Sequence, residues 1–439
     1  MTTVLLVICV LFLGGNYMIM ENPTGENPVG ENPIGENPIG ENPIGENPIG
    51  EKVNENNYQN NYQTQTKMED RSTSSTSSTT SVSVTSSGDD LHLVFSTDCS
   101  PFQTWQSYLL FHRAMTIKQT GKITRIVSGC DAKKGERELL ETWHETFIDP
   151  MSPSPGRFSV HFTPKFDGTS EDGKSGKTYS FFNKPFGLLH WLENGIGLDS
   201  EGALNDEDII VVLLDPDQLI MDPIVNDFSG KSVQIPSRVE KAWGGRAKIP
   251  TKVVHGTPIS QHYGLGAQWT EFDLTTITGT GDSPAAKVSN SDASNFYPVG
   301  PPYLMTGRDA LSIARKWSEF VRPTNKEYPH LLGEMYAFCI ASAHLGLRHV
   351  LVDSLMVSNV DAWNAEGWGM IEDIGRSDIC DVDKYGDKAL PNVLHFCQVY
   401  RVGEFAFHKV STKQNASTSR QAPSSAIKRH QAPSSILKQ

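Results

Sequence analysis

Ile209-Ile-Val-Val-Leu-Leu214, followed directly by Asp215-Pro-Asp217, is the most informative stretch of this chain. Its six consecutive aliphatic residues predict a central strand that is buried on both faces of a parallel or mixed sheet. The surrounding sequence alternates between strand and helix patterns, which predicts an α/β fold with helices on both sheet faces. The predicted strands cover residues 91–95, 122–127, 209–214 and 350–357. The predicted helices cover residues 105–115, 136–145, 186–193, 309–320 and 332–345.

Two carboxylates at the end of the central strand are a candidate ligand site. Ligands of open α/β sheets bind beyond the carboxyl ends of the strands, and residues i and i+2 of an extended chain project to the same side. Asp215 and Asp217 are therefore predicted to hold one divalent cation, which would neutralise a departing diphosphate. The alternative interpretation is an Asp-Pro turn that closes a buried strand.

Composition excludes several classes of protein. The chain has 439 residues and a net charge of −13, and seven of its glutamates lie in a repeat at residues 21–51. The rest of the chain is only mildly acidic, so binding to nucleic acid has no electrostatic support. Six cysteines without a C-x-x-C pair argue against a small disulfide scaffold and a zinc ribbon. No internal apolar run reaches about 18 residues, which excludes a multi-span membrane protein.

The chain divides into four predicted regions. Residues 1–20 contain ten consecutive apolar residues at 4–13, which predicts a cleaved signal peptide or a retained signal anchor. Residues 21–89 contain six E-N-P-x-G pentapeptides and a Ser/Thr-rich segment, and their Pro, Gly and like charges predict a disordered stalk. Residues 90–410 are the predicted folded domain, and residues 411–439 are a predicted disordered polar tail.

Residues 168–175, G-T-S-E-D-G-K-S, match the phosphate-binding P-loop pattern letter for letter. That motif requires a buried strand before it and a helix directly after it. The preceding segment instead contains Pro164 and Asp167, and Glu171 and Asp172 would repel a phosphate inside the loop. We therefore predict that the match is fortuitous, and a P-loop ATPase is disfavoured.

Several short segments between residues 95 and 395 together resemble one enzyme family. The Asp215-Pro-Asp217 strand end resembles the Asp-x-Asp element of GT-A glycosyltransferases. The resemblance narrows to the plant and algal hydroxyproline O-arabinosyltransferases and peptidyl serine α-galactosyltransferases. Besides the strand end, it rests on F-S-T-D-C-S-P-F-Q-T-W-Q at 95–106, T-R-I at 124–126, N-K-P at 183–185, H-W-L at 190–192, Q-H-Y-G-L-G at 261–266, E-M-Y-A-F at 334–338 and L-H at 394–395.

This resemblance implies a GT-A-like (Rossmann-like) mixed sheet in a single catalytic domain. It also implies a transferase that moves arabinofuranose or galactose from a UDP-sugar to a peptide or protein rich in hydroxyproline or serine, with Mn²⁺ or Mg²⁺ as cofactor. Asp215 and Asp217 would bind the metal, and His395 matches a histidine that often completes its coordination. The alternative for His395 is a histidine packed in the core. The residues that would contact the nucleotide sugar are Ser96, Thr97, Asp98, Arg125, Lys184 and Asp215.

Glu334 and Asp217 are the predicted catalytic residues. Glu334 begins an apolar helix, and the resemblance implies that it contacts the acceptor or the sugar. A carboxylate there takes the proton of the acceptor hydroxyl or stabilises an oxocarbenium-like centre. The alternative is an acidic residue that the helix dipole favours. Lys184 would lie near the departing diphosphate, and its alternative is a solvated lysine.

The N-terminal segment and the stalk predict a single-pass type II protein of the Golgi or ER membrane with a lumenal catalytic domain; a secreted protein is the alternative. Such a compartment permits disulfides. Cys99–Cys130 and Cys380–Cys397 are the predicted pairs, with Cys339 a free thiol on an apolar helix.

A second class of function is a non-catalytic surface or wall protein that keeps the fold on a repeat stalk. The strand-end carboxylates favour the enzyme, because a purely structural copy has no need of them.

Overall fold

The aliphatic stretch forms the middle strand of a seven-stranded sheet in a computed structural model of the chain. The structure describes residues 91–169, 178–198, 209–359, 362, 365–372, 389–398, 400–402, 405–407 and 409, all of which belong to one compact unit. The predicted targeting segment, stalk and tail lie outside these residues. Among the described helices, none has both the length and the apolar character needed to cross a membrane.

Strands and helices alternate along the described chain. The strands are β1 (Leu91–Asp98), β2 (Lys122–Ser128), β3 (Phe158–Thr163), β4 (Gly168–Thr169), β5 (Thr178–Tyr179), β6 (Ile210–Leu214), β7 (Gln218–Ile220), β8 (Ile259–His262), β9 (Val299–Thr306), β10 (Val350–Val352), β11 (Met356–Val357), β12 (Val393–His395), β13 (Tyr400–Val402) and β14 (Phe405–Phe407). The α-helices are α1 (Pro101–Thr116), α2 (Glu136–Trp143), α3 (Asn183–Asn194), α4 (Ser237–Ala242), α5 (Leu274–Thr278), α6 (Asn290–Phe296), α7 (Gly307–Glu327), α8 (Gly333–His344) and α9 (Trp368–Glu372). Shorter helical turns cover Ala132–Lys134, His144–Ile148, Asp149–Met151, Ser180–Phe182, Arg246–Lys248, Gln268–Glu271 and Pro284–Lys287.

The central sheet is mixed, with the strand order β10-β8-β9-β6-β1-β2-β3. β1 is parallel to both β2 and β6, and β10 is parallel to β8. β9 is antiparallel to its neighbours β6 and β8. The carboxyl ends of β1, β2, β6, β8 and β10 therefore meet at one edge of the sheet, where ligands of α/β proteins bind.

Alternate residues of β6 face two separate cores. Val211 and Leu213 belong to the core that contains residues of α3, α7 and α8. Ile210, Val212 and Leu214 belong to the core that contains residues of α1. All five side chains are at most 4% exposed, and burial of one such side chain is worth about 1.5–3 kcal/mol. Burial on both faces explains why this strand is uniformly aliphatic.

A second, three-stranded sheet adjoins the edge where the carboxyl ends of the parallel strands meet, the functional edge of the first sheet. Its order is β11-β12-β7, with β12 antiparallel to β7 and parallel to β11. This pairing places His395 opposite Gln218, although the two residues are far apart in sequence. The second sheet thus brings a C-terminal histidine next to the Asp215-Pro-Asp217 segment.

The predicted fold class is confirmed: one α/β unit with a mixed sheet and helices on both faces. Two element predictions need correction. The predicted helix at 136–145 is helical to Trp143 and continues as a wider π-turn over His144–Ile148. The predicted strand at 350–357 is divided into β10 and β11, which belong to different sheets.

The P-loop match has no support in the described residues. Gly168 and Thr169 form β4, which pairs with β5 in a short antiparallel ladder. The next described α-helix, α3, begins only at Asn183, whereas a P-loop requires a helix directly after the motif. Residues 170–177 of the match lie outside the described part of the chain.

Candidate active site

The Asp215-Pro-Asp217 segment is a turn that joins β6 to β7. The backbone N–H of Gln218 donates to the carbonyl oxygen of Asp215 at 3.1 Å. The extended geometry from which we predicted a shared ligand side is therefore wrong, and the turn predicted as the alternative is present. The turn nevertheless places both carboxylates beside His395, because the ligand atoms of all three residues lie within 4.8 Å of one another.

Gln218 holds this turn in place, a role that the sequence did not reveal. Its Oε1 accepts a hydrogen bond from the backbone N–H of Asp215 at 3.1 Å. Its Nε2 donates to the carbonyl oxygen of Pro301 at 2.8 Å, which ties the turn to β9. A buried amide with both ends satisfied fixes its neighbours, so Gln218 positions the Asp215 backbone.

His395 lies at the end of β12 and is buried. Its Nε2 lies 3.2 Å from Oδ1 of Asp217, and its Nδ1 lies 3.2 Å from the hydroxyl of Tyr263. Burial would lower the pKa of His395, but the neighbouring Tyr263 and Asp217 raise it above its usual value. Both ring nitrogens thus have partners, and the hydroxyl of Tyr263 orients the ring in the manner of an outer-shell group at a metal site.

The carboxylate of Asp217 also contacts a lysine. Its Oδ2 lies 2.5 Å from Nζ of Lys409, a residue for which no sequence pattern predicts a role. Burial alone would raise the pKa of Asp217, but His395 and Lys409 hold it well below its usual value. Asp217 is therefore ionised, as a metal ligand must be.

Lys184 joins Asp215 to Glu334. Its Nζ lies 2.7 Å from Oδ1 of Asp215 and 3.4 Å from Oε1 of Glu334. Burial would lower the pKa of Lys184, but the two carboxylates raise it above its usual value. The side chain is only 12% exposed, so the solvated lysine considered above is wrong.

The position of Lys184 follows from the close packing of α3 on the parallel strands. A Cβ at Gly187 would lie 3.2 Å from Cγ2 of Ile126 and 3.8 Å from Oγ of Ser96. Glycine therefore lets the helix approach β1 and β2 at their carboxyl ends. This approach places the first turn of α3, which carries Lys184, at the functional edge of the sheet.

Glu334 lies in the first turn of α8 and is only 2% exposed. Its backbone N–H donates to the hydroxyl of Tyr179 at 3.1 Å, and its carbonyl oxygen accepts from Nε1 of Trp317 at 2.8 Å. Burial raises the pKa of the Glu334 carboxyl to about 7, against the opposing effect of Lys184. A carboxyl group that titrates near neutral pH is suited to exchange protons with a substrate.

The buried side chain of Arg125 stabilises the C-terminal end of β1. Arg125 is fully buried; its Nε donates to Oγ1 of Thr97 at 2.9 Å and its Nη2 to the carbonyl oxygen of Asp98 at 3.0 Å. Burial lowers its pKa to about 9. Ser96 lies near the start of α3. Asp98 accepts a hydrogen bond from the backbone of Ser100 at 2.8 Å. Arg125 thus supports this strand end, and its contact with a nucleotide stays a prediction.

A disulfide ties the turn after β1 to the turn after β2. The predicted Cys99–Cys130 pair is present, and Cys339 is a buried free thiol, as predicted. Cys397 is also free, so its predicted pairing with Cys380 is wrong; Cys380 itself lies outside the described residues. The crosslink restrains the two strand ends that would face a nucleotide.

The donor set fits a divalent cation. Two carboxylates and one imidazole converge at Asp215, Asp217 and His395, and carboxylate oxygens are the ligands that Mn²⁺ and Mg²⁺ prefer. Among the described residues this is the one cluster of three or more His, Cys, Asp or Glu residues with that convergence. Lys184 and Glu334 lie directly beside it, which places a candidate metal site, an ammonium group and a carboxyl group of raised pKa at one sheet edge.

Two known proteins are similar to this chain, one in sequence and one in structure. No family model matches the chain. A curated relative, peptidyl serine alpha-galactosyltransferase from Arabidopsis thaliana, is 24% identical over 280 residues, which cover 61% of this chain and 28% of the relative. The chain thus matches less than a third of the relative's length.

One solved structure, the apo form of the bifunctional glycosyltransferase WbbM, has a TM-score of 0.33 and 7% sequence identity to this chain. The match covers 70% of this chain and 46% of the WbbM chain. That likeness is too weak to carry an argument. The sequence relative, by contrast, belongs to one of the two enzyme groups that the short segments resemble. The chain is therefore confirmed as similar in sequence to the peptidyl serine α-galactosyltransferases.

Proposed function

We propose that this protein is a metal-dependent glycosyltransferase that moves a sugar, galactose or arabinofuranose, from a UDP-sugar to a serine or hydroxyproline hydroxyl of a protein. The observation that carries the proposal is the convergence of Asp215, Asp217 and His395 at the carboxyl edge of the central sheet. The similarity to a peptidyl serine alpha-galactosyltransferase supports both the reaction class and the kind of acceptor.

Asp215, Asp217 and His395 would hold Mn²⁺ or Mg²⁺, which supplies charge neutralisation for the departing nucleotide diphosphate. Lys184 adds a positive charge at the same place, because its ammonium already lies 2.7 Å from Asp215. The strand end of Ser96, Thr97 and Asp98 would accommodate the nucleotide. A preorganised set of opposite charges needs no reorganisation during the reaction.

Glu334 is the proposed proton acceptor of the transfer. In this step the acceptor oxygen forms a bond to the anomeric carbon, and the bond from that carbon to the diphosphate oxygen breaks with its electron pair. The hydroxyl proton passes to the carboxylate of Glu334, whose pKa of about 7 leaves a large ionised fraction at neutral pH. Lys184, at 3.4 Å, keeps that carboxylate in place.

A lumenal setting is part of the proposal. The Cys99–Cys130 disulfide is typical of an oxidising compartment, and the apolar N-terminal segment provides a signal or an anchor. Carbonate extraction of membranes tests the type II arrangement. Release of the intact protein into the soluble fraction would replace the anchor with a cleaved signal peptide.

A screen of UDP-sugars against peptides that contain serine or hydroxyproline, with Mn²⁺ and with EDTA, tests the proposed reaction. We expect transfer with one donor, loss of transfer in EDTA, and recovery when Mn²⁺ is restored. Transfer at the same rate in EDTA would contradict the metal-dependent mechanism.

One observation favours the non-catalytic alternative. Both strand-end carboxylates already have lysine partners, Asp215 with Lys184 and Asp217 with Lys409, so their charge is compensated within the chain. A binding protein that keeps the fold would show this feature and would bind UDP without turnover on any acceptor. The donor screen separates the two functions, since the alternative predicts no transfer with any donor.

A further inference from the structure

Asp217 has a partner on each of its carboxylate oxygens. Oδ1 lies 3.2 Å from Nε2 of His395, and Oδ2 lies 2.5 Å from Nζ of Lys409. The carboxylate is only 8% exposed, so it has little contact with water. Its two oxygens are therefore engaged by side chains in the very place where the proposed metal would bind.

The two lysines of the site differ in how firmly they are held. Lys184 is 12% exposed and lies between two carboxylates, those of Asp215 and Glu334. Lys409 is 25% exposed, and in the described part of the chain its ion pair is with Asp217 alone. Lys184 is thus held by two carboxylates, whereas Lys409 can move into solvent once its contact with Asp217 is broken.

A divalent cation and the ammonium of Lys409 require the same carboxylate. A metal ion on Asp217 would place two positively charged groups on one small anion, and like charges at such a distance disfavour each other. Metal binding and the Lys409–Asp217 contact therefore compete. A stronger contact between Lys409 and Asp217 therefore means a weaker affinity of the site for metal.

We propose that Lys409 is an affinity-determining residue of the metal site: its ammonium is an exchangeable counter-ion for Asp217 that a divalent cation must displace. The inference rests on the proposed function for the presence of a metal, but it concerns a residue that neither the Asp-x-Asp element nor the histidine indicates. The same contact compensates the charge of the buried Asp217 carboxylate before a metal arrives.

Binding of Mn²⁺ to the purified full-length chain, measured by calorimetry or by electron paramagnetic resonance without any sugar donor, tests this proposal. Lys409→Gln removes the competing charge, and we expect it to tighten Mn²⁺ binding by at least about tenfold, the effect of one nearby like charge. Lys409→Arg keeps the charge and should bind Mn²⁺ about as weakly as the wild type. Lys316→Gln, at a partly exposed lysine paired with Glu319 on α7, is the control for loss of a positive charge elsewhere.

A double variant ties the effect to Asp217. In an Asp217→Asn background, Lys409→Gln should no longer change the affinity for Mn²⁺, because the shared carboxylate is gone. Thermal melting of each variant verifies that the fold is retained. Equal Mn²⁺ affinity of the wild type and Lys409→Gln, or weaker binding by Lys409→Gln, would overturn the inference while leaving the metal-dependent transferase intact. Failure of every variant to bind Mn²⁺ would overturn both.

Discussion

Two polar regions of this protein differ in whether their polar side chains are charged. At the functional edge, Asp217, Asp215, Lys184 and Glu334 lie in contact with oppositely charged partners. Between α8 and β8, His349 is fully buried, and its two ring nitrogens lie beside hydroxyl groups, Nδ1 at 2.8 Å from Ser260 and Nε2 at 3.1 Å from Ser342. The first region is built from paired ions, and the second from neutral hydrogen bonds.

The pKa directions show what this difference means. Burial lowers the pKa of His349 to about 3, because no carboxylate opposes the loss of water. At the functional edge burial also acts against charge, but Asp217 and Lys184 remain ionised because their partners outweigh it. Buried ions persist only where they are paired, which explains why each ion at the sheet edge has an oppositely charged partner.

Removal of Lys184 should have the largest effect on stability. Lys184→Met leaves the buried Glu334 and the partly buried Asp215 without their shared cation, and loss of one partner from a buried ion pair costs about 3–5 kcal/mol. Urea denaturation measures this loss. In a double-mutant cycle, Glu334→Gln should recover part of it, because one of the two unpaired carboxylates disappears. A Lys184→Met variant as stable as the wild type would show that the edge is not a coupled set of ions.

Removal of one charge from the proposed metal site should lower the rate of transfer, in addition to the stability lost when His395 and Lys409 lose their shared carboxylate. Asp217→Asn keeps the volume and removes a ligand charge, and we expect transfer to fall by at least about 10²–10³, the effect of losing one key electrostatic group. His395→Ala should act in the same direction and less severely. Initial rates of sugar transfer, with melting temperature as the control, measure both variants. Full activity of Asp217→Asn would remove this carboxylate from the mechanism.

For the neutral region we expect a gradual dependence of stability on pH, of which each pH unit contributes less than either substitution above. His349 has a pKa near 3 when folded and about 6.5 when unfolded, so the unfolded chain binds the extra proton between these values. The free energy of unfolding should therefore fall as pH falls from about 6.5 towards 3, by up to about 1.4 kcal/mol per pH unit from this residue. Urea denaturation at several pH values should show a shallower slope for His349→Gln. An unchanged slope would mean that His349 is protonated in the folded protein.

The strands β1, β2, β6 and β10 could be predicted from sequence, because each is rich in buried apolar residues; β3, which is parallel to β2, was not predicted. β9 could not be predicted, since its V-G-P-P-Y start contains residues that ordinarily interrupt strands. β8 was missed because it is short and carries Ser260, Gln261 and His262. Short polar strands lack the periodic pattern on which prediction depends.

The residues of the candidate site could be predicted from sequence better than the contacts between them. Asp215 and Asp217 follow an aliphatic strand, a local signal, whereas His395 required a resemblance because only the pairing of β12 with β7 brings it near. The contact between Lys184 and Glu334 depends on how α3 and α8 approach the sheet. Lys409 has no local pattern at all, and its role becomes visible only through its contact with Asp217.

The binding of UDP to the wild type and to Asp217→Asn, measured by calorimetry with Mn²⁺ and with EDTA, tests the central claim most directly. If Asp215, Asp217 and His395 hold a metal against the donor diphosphate, EDTA should weaken UDP binding to the wild type by at least about tenfold, since a charge-assisted contact is worth about 1.5–3 kcal/mol. Asp217→Asn should bind UDP weakly under both conditions. Equal UDP affinity of the wild type with Mn²⁺ and with EDTA would contradict the claim that this cluster is a metal site for a nucleotide sugar.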